Sequence, residues 1–228
     1  MTKPTQGTIK AIIFDLDGTL IDSAPDLRVT ANKILAAAGR RAVTLEEVQG
    51  MIGDGMPTLM TRCFRATGGL PAESEIKAHI RAFLEVYTGE DVEPEHLYPG
   101  AAETLEALKG AGFTLGLCTN KNYGPTMTIL KKLNLAHYFA SISGGDSVPG
   151  IRKPDPGHLV AVMQAIGIAP AAAVMVGDKI HDVSCAHGAG LKAIAVSFGY
   201  ASMPMAELGA DAVVDSLTEV PGAVARLA

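Results

Sequence analysis

Four short segments carry residues suited to phosphate and metal chemistry: Asp15-Leu16-Asp17-Gly18-Thr19, Thr119-Asn120, Lys153, and Asp178 with Asp182. The first follows the apolar run Ala11-Ile12-Ile13-Phe14, which predicts a buried strand. On extended backbone, residues two apart point to the same side, so Asp15 and Asp17 are expected to share one face at the strand end. Gly18 permits a sharp turn there. Two carboxylates that close repel unless a cation or a proton lies between them. Asp15, Asp17, Asp178 and Asp182 would supply hard oxygen ligands suited to Mg²⁺. Thr119, Asn120 and Lys153 would supply donors and a positive charge suited to phosphate. Bare carboxylates repel a phosphate dianion, so both the metal and Lys153 are needed to balance charge. The reaction class that uses this whole set is phosphoryl transfer to an aspartate nucleophile.

These groups must be positioned by a scaffold. Five further apolar runs predict buried strands at Phe113–Cys118, Tyr138–Ser143, Ala172–Val176, Leu191–Ser197 and Ala212–Val214. Helical patterns at Ala102–Lys109, Pro125–Leu135 and Leu159–Ile166 lie between them. Strands alternating with helices predict an α/β fold, a doubly wound parallel sheet covered on both faces. Ligands of such sheets bind at the carboxyl ends of the strands, where Asp15, Asp17, Thr119, Asn120 and Asp178 all fall.

The stretch from Ser23 to Leu97 reads differently, with no strand pattern. Leu27–Ala38 opens near Ser23 and Pro25, and Thr44-Leu45-Glu46-Glu47 is a capping box. Pro57–Ala66 reads as a third helix. Glu73–Tyr87 is the longest, with Ile76, Ile80, Phe83 and Leu84 on one stripe. The expected organisation is a helical insert over 23–97 within a core formed by 1–22 and 98–228, with Pro94 and Pro99-Gly100 marking the return.

The chain has 228 residues, 48% of them hydrophobic, which supports a sizeable core and excludes disorder. A net charge of −5 without a basic block argues against nucleic acid as partner. Cys63, Cys118 and Cys185 are odd in number and far apart, which favours a reducing compartment over a disulfide framework. Met1–Gly7 shows no apolar signal core, and no apolar run approaches the ~20 residues that span a bilayer. The expectation is a cytoplasmic protein acting on a small molecule; oligomeric state is not legible.

In their order and spacing the four segments resemble the motifs of the haloacid dehalogenase superfamily. Phe14-Asp15-Leu16-Asp17-Gly18-Thr19-Leu20 resembles the first motif, Thr119-Asn120 the second, Lys153-Pro154 the third, and Gly177-Asp178 with Asp182 the fourth. The resemblance implies a Rossmann-like core with a small α-helical cap inserted after the first strand. It further implies Mg²⁺-dependent hydrolysis of a phosphomonoester through an aspartyl-phosphate. Asp15 would attack phosphorus and Asp17 would move the proton. Thr119 and the Asn120 backbone would hold phosphate oxygens, and Lys153 would neutralise charge. Asp15, the Asp17 carbonyl, Asp178 and Asp182 would hold the metal.

Asp22–Leu27, Thr119–Lys121, Gly144–Ser147 and Arg152–Pro154 are most similar to the phosphoglycolate phosphatases, which points to 2-phosphoglycolate. Another sugar-phosphate phosphatase, a phosphomutase, or a catalytically silent binding module are the alternatives. Gly18, Asn120, Gly55 and Arg62 are the candidate substrate-binding residues. Gly55 falls at a helix N-terminus able to meet an anion. Lys179 stands where the family usually has Ser or Thr, and strand alternation predicts that it turns away. Lys121 and Arg152 read as solvated surface charges. His181, Cys185 and His187 lack a fourth ligand at zinc spacing.

Overall fold

A computed structural model describes residues 8–89, 93 and 96–228. Met1–Gly7 and Pro94, used above as sequence markers, lie outside the described residues. Six strands form one sheet: β1 (Ala11–Phe14), β2 (Thr114–Cys118), β3 (Phe139–Ser143), β4 (Ala173–Gly177), β5 (Lys192–Val196) and β6 (Ala212–Val214). Their order is β3-β2-β1-β4-β5-β6, and every pairing is parallel. Parallel strands need crossovers, and helices supply most of them. These are α5 (Ala101–Gly110), α6 (Tyr123–Lys132), α7 (Gly157–Ile166) and α8 (Ile180–Ala189), with α9 (Val220–Leu227) closing the chain. The link from β5 to β6 carries only a one-turn helix at Met205–Glu207.

Alternation along β1 builds both faces of the core. Ile12 and Phe14 join the cluster of Leu105, Leu108, Leu130 and Val224, from α5, α6 and α9. Ala11 and Ile13 join Leu159, Val162, Val183 and Ala186, from α7 and α8. A strand buried on both faces reads as a continuous apolar run, so β1 was visible in the sequence. Helix α8 was not read from the sequence, although it carries Asp182 in its first turn. His181, Asp182 and Ser184 break up the apolar positions and leave only a weak apolar stripe there.

Between β1 and α5 lie α1 (Ala24–Ala37), α2 (Leu45–Met51), α3 (Met56–Ala66) and α4 (Glu73–Val86). They enclose a core of their own around Leu35, Val48, Met60, Phe64 and Phe83. Helix α1 starts three residues before the expected Leu27, because Pro25 is accepted in its first turn. Thr44 makes the reciprocal capping box with Glu47. On the α4 stripe, Phe83 is fully buried, while Ile76, Ile80 and Leu84 pack partly buried against the same core.

The three cysteines are free and buried, and burial pushes the Cys63 and Cys185 thiols up to about 11. Among the described residues, no helix is long and apolar enough to cross a membrane. Phe83→Ala empties the centre of the four-helix core and is expected to cost about 3–5 kcal/mol, read as a lower urea midpoint. An unchanged midpoint would remove Phe83 from the account of that core.

Candidate active site

Strands β1 and β4 are neighbours at the middle of the sheet, and their connections leave toward opposite edges. Such a switch point opens a crevice at the carboxyl ends of the strands. A cleft with about 510 Å³ of empty space lies there. Asp15, Asp17, Thr119, Asn120, Lys153, Asp178 and Asp182 line its floor, each delivered by a strand end, a following loop or the first turn of α8. Leu27, Ile52, Gly53, Gly55, Met56 and Leu59 of the four-helix unit line its roof.

Three carboxylates converge on the floor. Asp15, Asp178 and Asp182 each place one oxygen within 4.8 Å of the others. Lys153 Nζ lies 2.8 Å from Asp15 Oδ1 and 2.6 Å from Asp182 Oδ1. The second Asp182 oxygen accepts the Lys179 backbone N–H at 2.9 Å, and Asp178 Oδ2 accepts the Tyr200 N–H at 2.6 Å. Asp178 Oδ1 is buried without a protein donor. Burial raises the Asp15 carboxyl to about 6, with Lys153 opposing the shift. Burial, followed by the charges of Asp182 and Asp15, raises Asp178 well above the usual carboxylate range. Lys153 pairs with Asp15 and Asp182 but not with Asp178, whose Oδ1 is left without a protein donor. The all-oxygen donor set fits a hard divalent cation.

Gly18 stands behind this cluster and does not line the cleft. Its φ is +82°, and a Cβ there would lie 2.4 Å from Asp178 Oδ2. Its lack of a side chain gives Asp178 room.

Asp15 and Asp17 both line the cleft but meet different cations. The extended run ends at Phe14, and Leu16 O accepts the N–H groups of Leu20 and Ile21, so the chain curls. Asp17 lines the cleft, but its Oδ1 pairs with Lys121 Nζ at 2.9 Å. That ammonium also donates to the Tyr87 hydroxyl at 3.0 Å. Lys121 is therefore not a solvated charge: it is 3% exposed. Burial disfavours its cation, but the Asp17 and Tyr87 oxygens outweigh this and hold its pKa above the ordinary lysine value. Thr119 lies at the end of β2 and its Oγ1 accepts the Lys121 N–H at 3.2 Å.

The roof loop between α2 and α3 is gripped by the floor at three successive residues. Ile52 O accepts from Lys179 Nζ at 2.6 Å, Gly53 O accepts from Asn120 Nδ2 at 2.8 Å, and Asp54 Oδ1 pairs with His181 Nε2 at 3.0 Å. Asn120 Nδ2 also reaches Lys153 O at 2.8 Å. Gly55 packs against this seam, where a Cβ would stand 3.3 Å from Asn120 O. Lys179 does not turn away as alternation suggested, but lines the cleft. It is 8% exposed and spans from floor to roof. Arg62 is tied to Asp54 at 2.5 Å and to Met51 O at 2.8 Å, and borders a neighbouring hollow instead of the cleft. Arg152 is exposed, as expected. His181, Cys185 and His187 do not converge. Their partners are Asp54, Asp155 O and Asp211.

Sequence reasoning passed over Lys121, Tyr87 and Tyr200 as parts of the site. Tyr87 had a signal, since it follows Phe83 on the apolar face of α4 and a buried hydroxyl needs a partner. Lys121 stood in the phrase Thr119–Lys121 but its charge was read as solvated, and Tyr200 had no signal that a local pattern could expose.

The haloacid dehalogenase-like hydrolase family model matches residues 12–196. A phosphoglycolate phosphatase from Agrobacterium fabrum is 38% identical over 212 residues, 93% of this chain and 91% of the relative. A crystal structure of a predicted phosphoglycolate phosphatase from Haemophilus somnus superposes with a TM-score of 0.88 at 32% identity, covering 97% and 99% of the two chains. CbbY from Rhodobacter sphaeroides, solved in complex with phosphate, gives 0.75 at 25% identity, with 93% and 96% covered.

Two outcomes are expected from the carboxylate cluster. Asp15 is neutral below its raised pKa, so divalent-cation affinity measured by calorimetry falls as pH drops through about 6, with proton release on binding. Affinity that is flat from pH 5 to 8 would contradict the cluster as the cation site. Gly18→Ala pushes on Asp178 and is expected to weaken the same affinity; an unchanged value would show that the loop yields without moving Asp178.

Proposed function

The chain belongs to the haloacid dehalogenase-like hydrolases, and on that premise we propose that it is a Mg²⁺-dependent phosphomonoester hydrolase acting on 2-phosphoglycolate through an aspartyl-phosphate. The observation that carries this reading is the buried group of Asp15, Asp178 and Asp182 around Lys153, sharing one cleft with Thr119 and Asp17. The substrate follows the names of the relatives.

Asp15, Asp178 and Asp182 would hold the cation, together with the Asp17 carbonyl. When bound, Mg²⁺ supplies positive charge that offsets the phosphate dianion and the carboxylates. Asp15, fixed by the Lys153 ammonium, attacks phosphorus. The bond from phosphorus to the substrate oxygen breaks, and that oxygen takes a proton from the Asp17 carboxyl. A water then gives its proton to Asp17 and attacks the same phosphorus, releasing Asp15 and inorganic phosphate. Thr119 Oγ1 and the Asn120 backbone N–H bind phosphate oxygens, while Lys153 meets the charge that develops during transfer.

The four helices of 23–97 act as a cap over a core of 1–22 and 98–228. The cap offers the substrate apolar side chains and backbone, with no charged cap side chain lining the cleft among the described residues. Charge in the non-phosphate part of the substrate is therefore met from the core side. The unpaired thiols support a reducing, cytoplasmic setting.

Phosphate release from a panel of 2-phosphoglycolate, hexose and pentose phosphates and p-nitrophenyl phosphate tests the assignment. The highest kcat/KM is expected for 2-phosphoglycolate, lost on chelation and restored by Mg²⁺. A sugar phosphate ranking first would move the substrate, and isomerised sugar phosphate without phosphate release would indicate a mutase. Asp15→Asn is expected to abolish turnover of the whole panel; surviving p-nitrophenyl phosphate hydrolysis sinks Asp15 as nucleophile.

A further inference from the structure

Lys121 is the one lysine on the cleft floor left without a task by the chemistry above, apart from Lys179, which grips the roof. A charge withdrawn from water is tolerated when it is paired and hydrogen-bonded. The core supplies one partner, Asp17 Oδ1 at 2.9 Å. The helical unit supplies the other, the Tyr87 hydroxyl at 3.0 Å, with the ammonium 4.7 Å from the centre of the same ring. Tyr87 is 4% exposed and caps the C-terminal end of α4, its ring stacked on Phe83. A lysine stem is flexible, so the second contact fixes where its head lies.

We propose that Lys121 and Tyr87 are positioning residues for Asp17, anchoring Oδ1 so that Oδ2 is the oxygen that passes the proton to the leaving group. The inference rests on the reading of Asp17 as proton donor. The donor must come within hydrogen-bond reach of the departing oxygen, and a misplacement of about 1 Å costs on the order of 10²-fold. An unanchored aspartate rotates about two side-chain bonds; the Lys121 contact removes that freedom. Because Tyr87 belongs to α4, the anchor is complete when the helical unit is seated on the core. Proton transfer is thereby tied to the position of the roof without any cap side chain touching the reacting atoms.

The test is the dependence of kcat/KM on the leaving group, measured with Mg²⁺ on p-nitrophenyl phosphate, phenyl phosphate, an alkyl phosphate and 2-phosphoglycolate. A nitrophenolate departs without a proton, whereas an alkoxide needs one, so loss of the donor falls on the poor leaving groups. Asp17→Asn is expected to lose about 10²-fold more on the alkyl phosphates than on p-nitrophenyl phosphate. Lys121→Met is expected to lose about tenfold more on the alkyl phosphates, and Tyr87→Phe to steepen the series in the same direction by less. Tyr87→Phe removes one oxygen from a packed ring, so it reports even if Lys121→Met fails to fold. Uniform loss across the series in Lys121→Met and Tyr87→Phe, with Asp17→Asn steep, overturns the positioning role alone. An Asp17→Asn series parallel to wild type overturns the proton-donor reading itself.

Discussion

The arrangement of this protein turns on excess negative charge held out of water at the switch point of the sheet. Three carboxylates lie within 4.8 Å of one another, and the buried Lys153 ammonium pairs with two of them, Asp15 and Asp182. Burial raises the pKa of Asp15 and of Asp178, and the neighbouring carboxylates add to the effect. The cluster is stable as a set of anions only with further positive charge, which the oxygen-only donor set invites in the form of a hard cation. Much of the surrounding backbone serves this group. Gly18 leaves room for Asp178, the Tyr200 N–H holds Asp178 Oδ2, and the first turn of α8 presents Asp182 to Lys153.

The same floor also holds the roof. Lys179, Asn120 and His181 each engage one of three successive residues, Ile52 to Asp54, through contacts of 2.6 to 3.0 Å. Two of the three bonds fall on backbone carbonyls, so they fix the path of the loop whatever side chains it carries. Tyr200 adds a tie at the entrance to the helical unit. Its hydroxyl lies 2.5 Å from Asp22 Oδ1 and accepts the Ala24 N–H, while its ring joins the hydrophobic core of the four helices. The carboxylate cluster, the loop over it and the chain crossing into the helices are thus mechanically continuous.

Two buried lysines divide the electrostatics of the cleft. Lys153 faces Asp15 and Asp182, and Lys121 faces Asp17. The two aspartates of the first motif, two residues apart, therefore meet different cations. Asp15 sits in the carboxylate cluster, whereas Asp17 pairs with a lysine that in turn reaches Tyr87 of the roof. This division gives the pair distinct environments, which is the physical condition for giving two carboxylates different work.

The strands, the parallel sheet and the separate helical stretch were legible because burial on both faces writes long apolar runs, and capping chemistry writes local signatures such as Thr44 with Glu47. Asp15, Thr119 and Asp178 were legible because strand ends of an open sheet point to one crevice, whereas Lys153, in the loop between β3 and α7, was legible only as part of the family's third motif. Lys121 was read as solvated and Lys179 as turned away by strand alternation, but both are held by partners remote in sequence, 34 residues back at Tyr87 and 127 residues back at Ile52. Arg62 was read toward the cleft because it follows a helix start, but Asp54, eight positions earlier in the sequence, holds it elsewhere. The sequence by itself determined which chemical groups this protein owns and the scaffold that collects them, since both are written in local pattern. Only the tertiary structure decided which cation meets which carboxylate, because that pairing depends on distances between elements far apart in the chain.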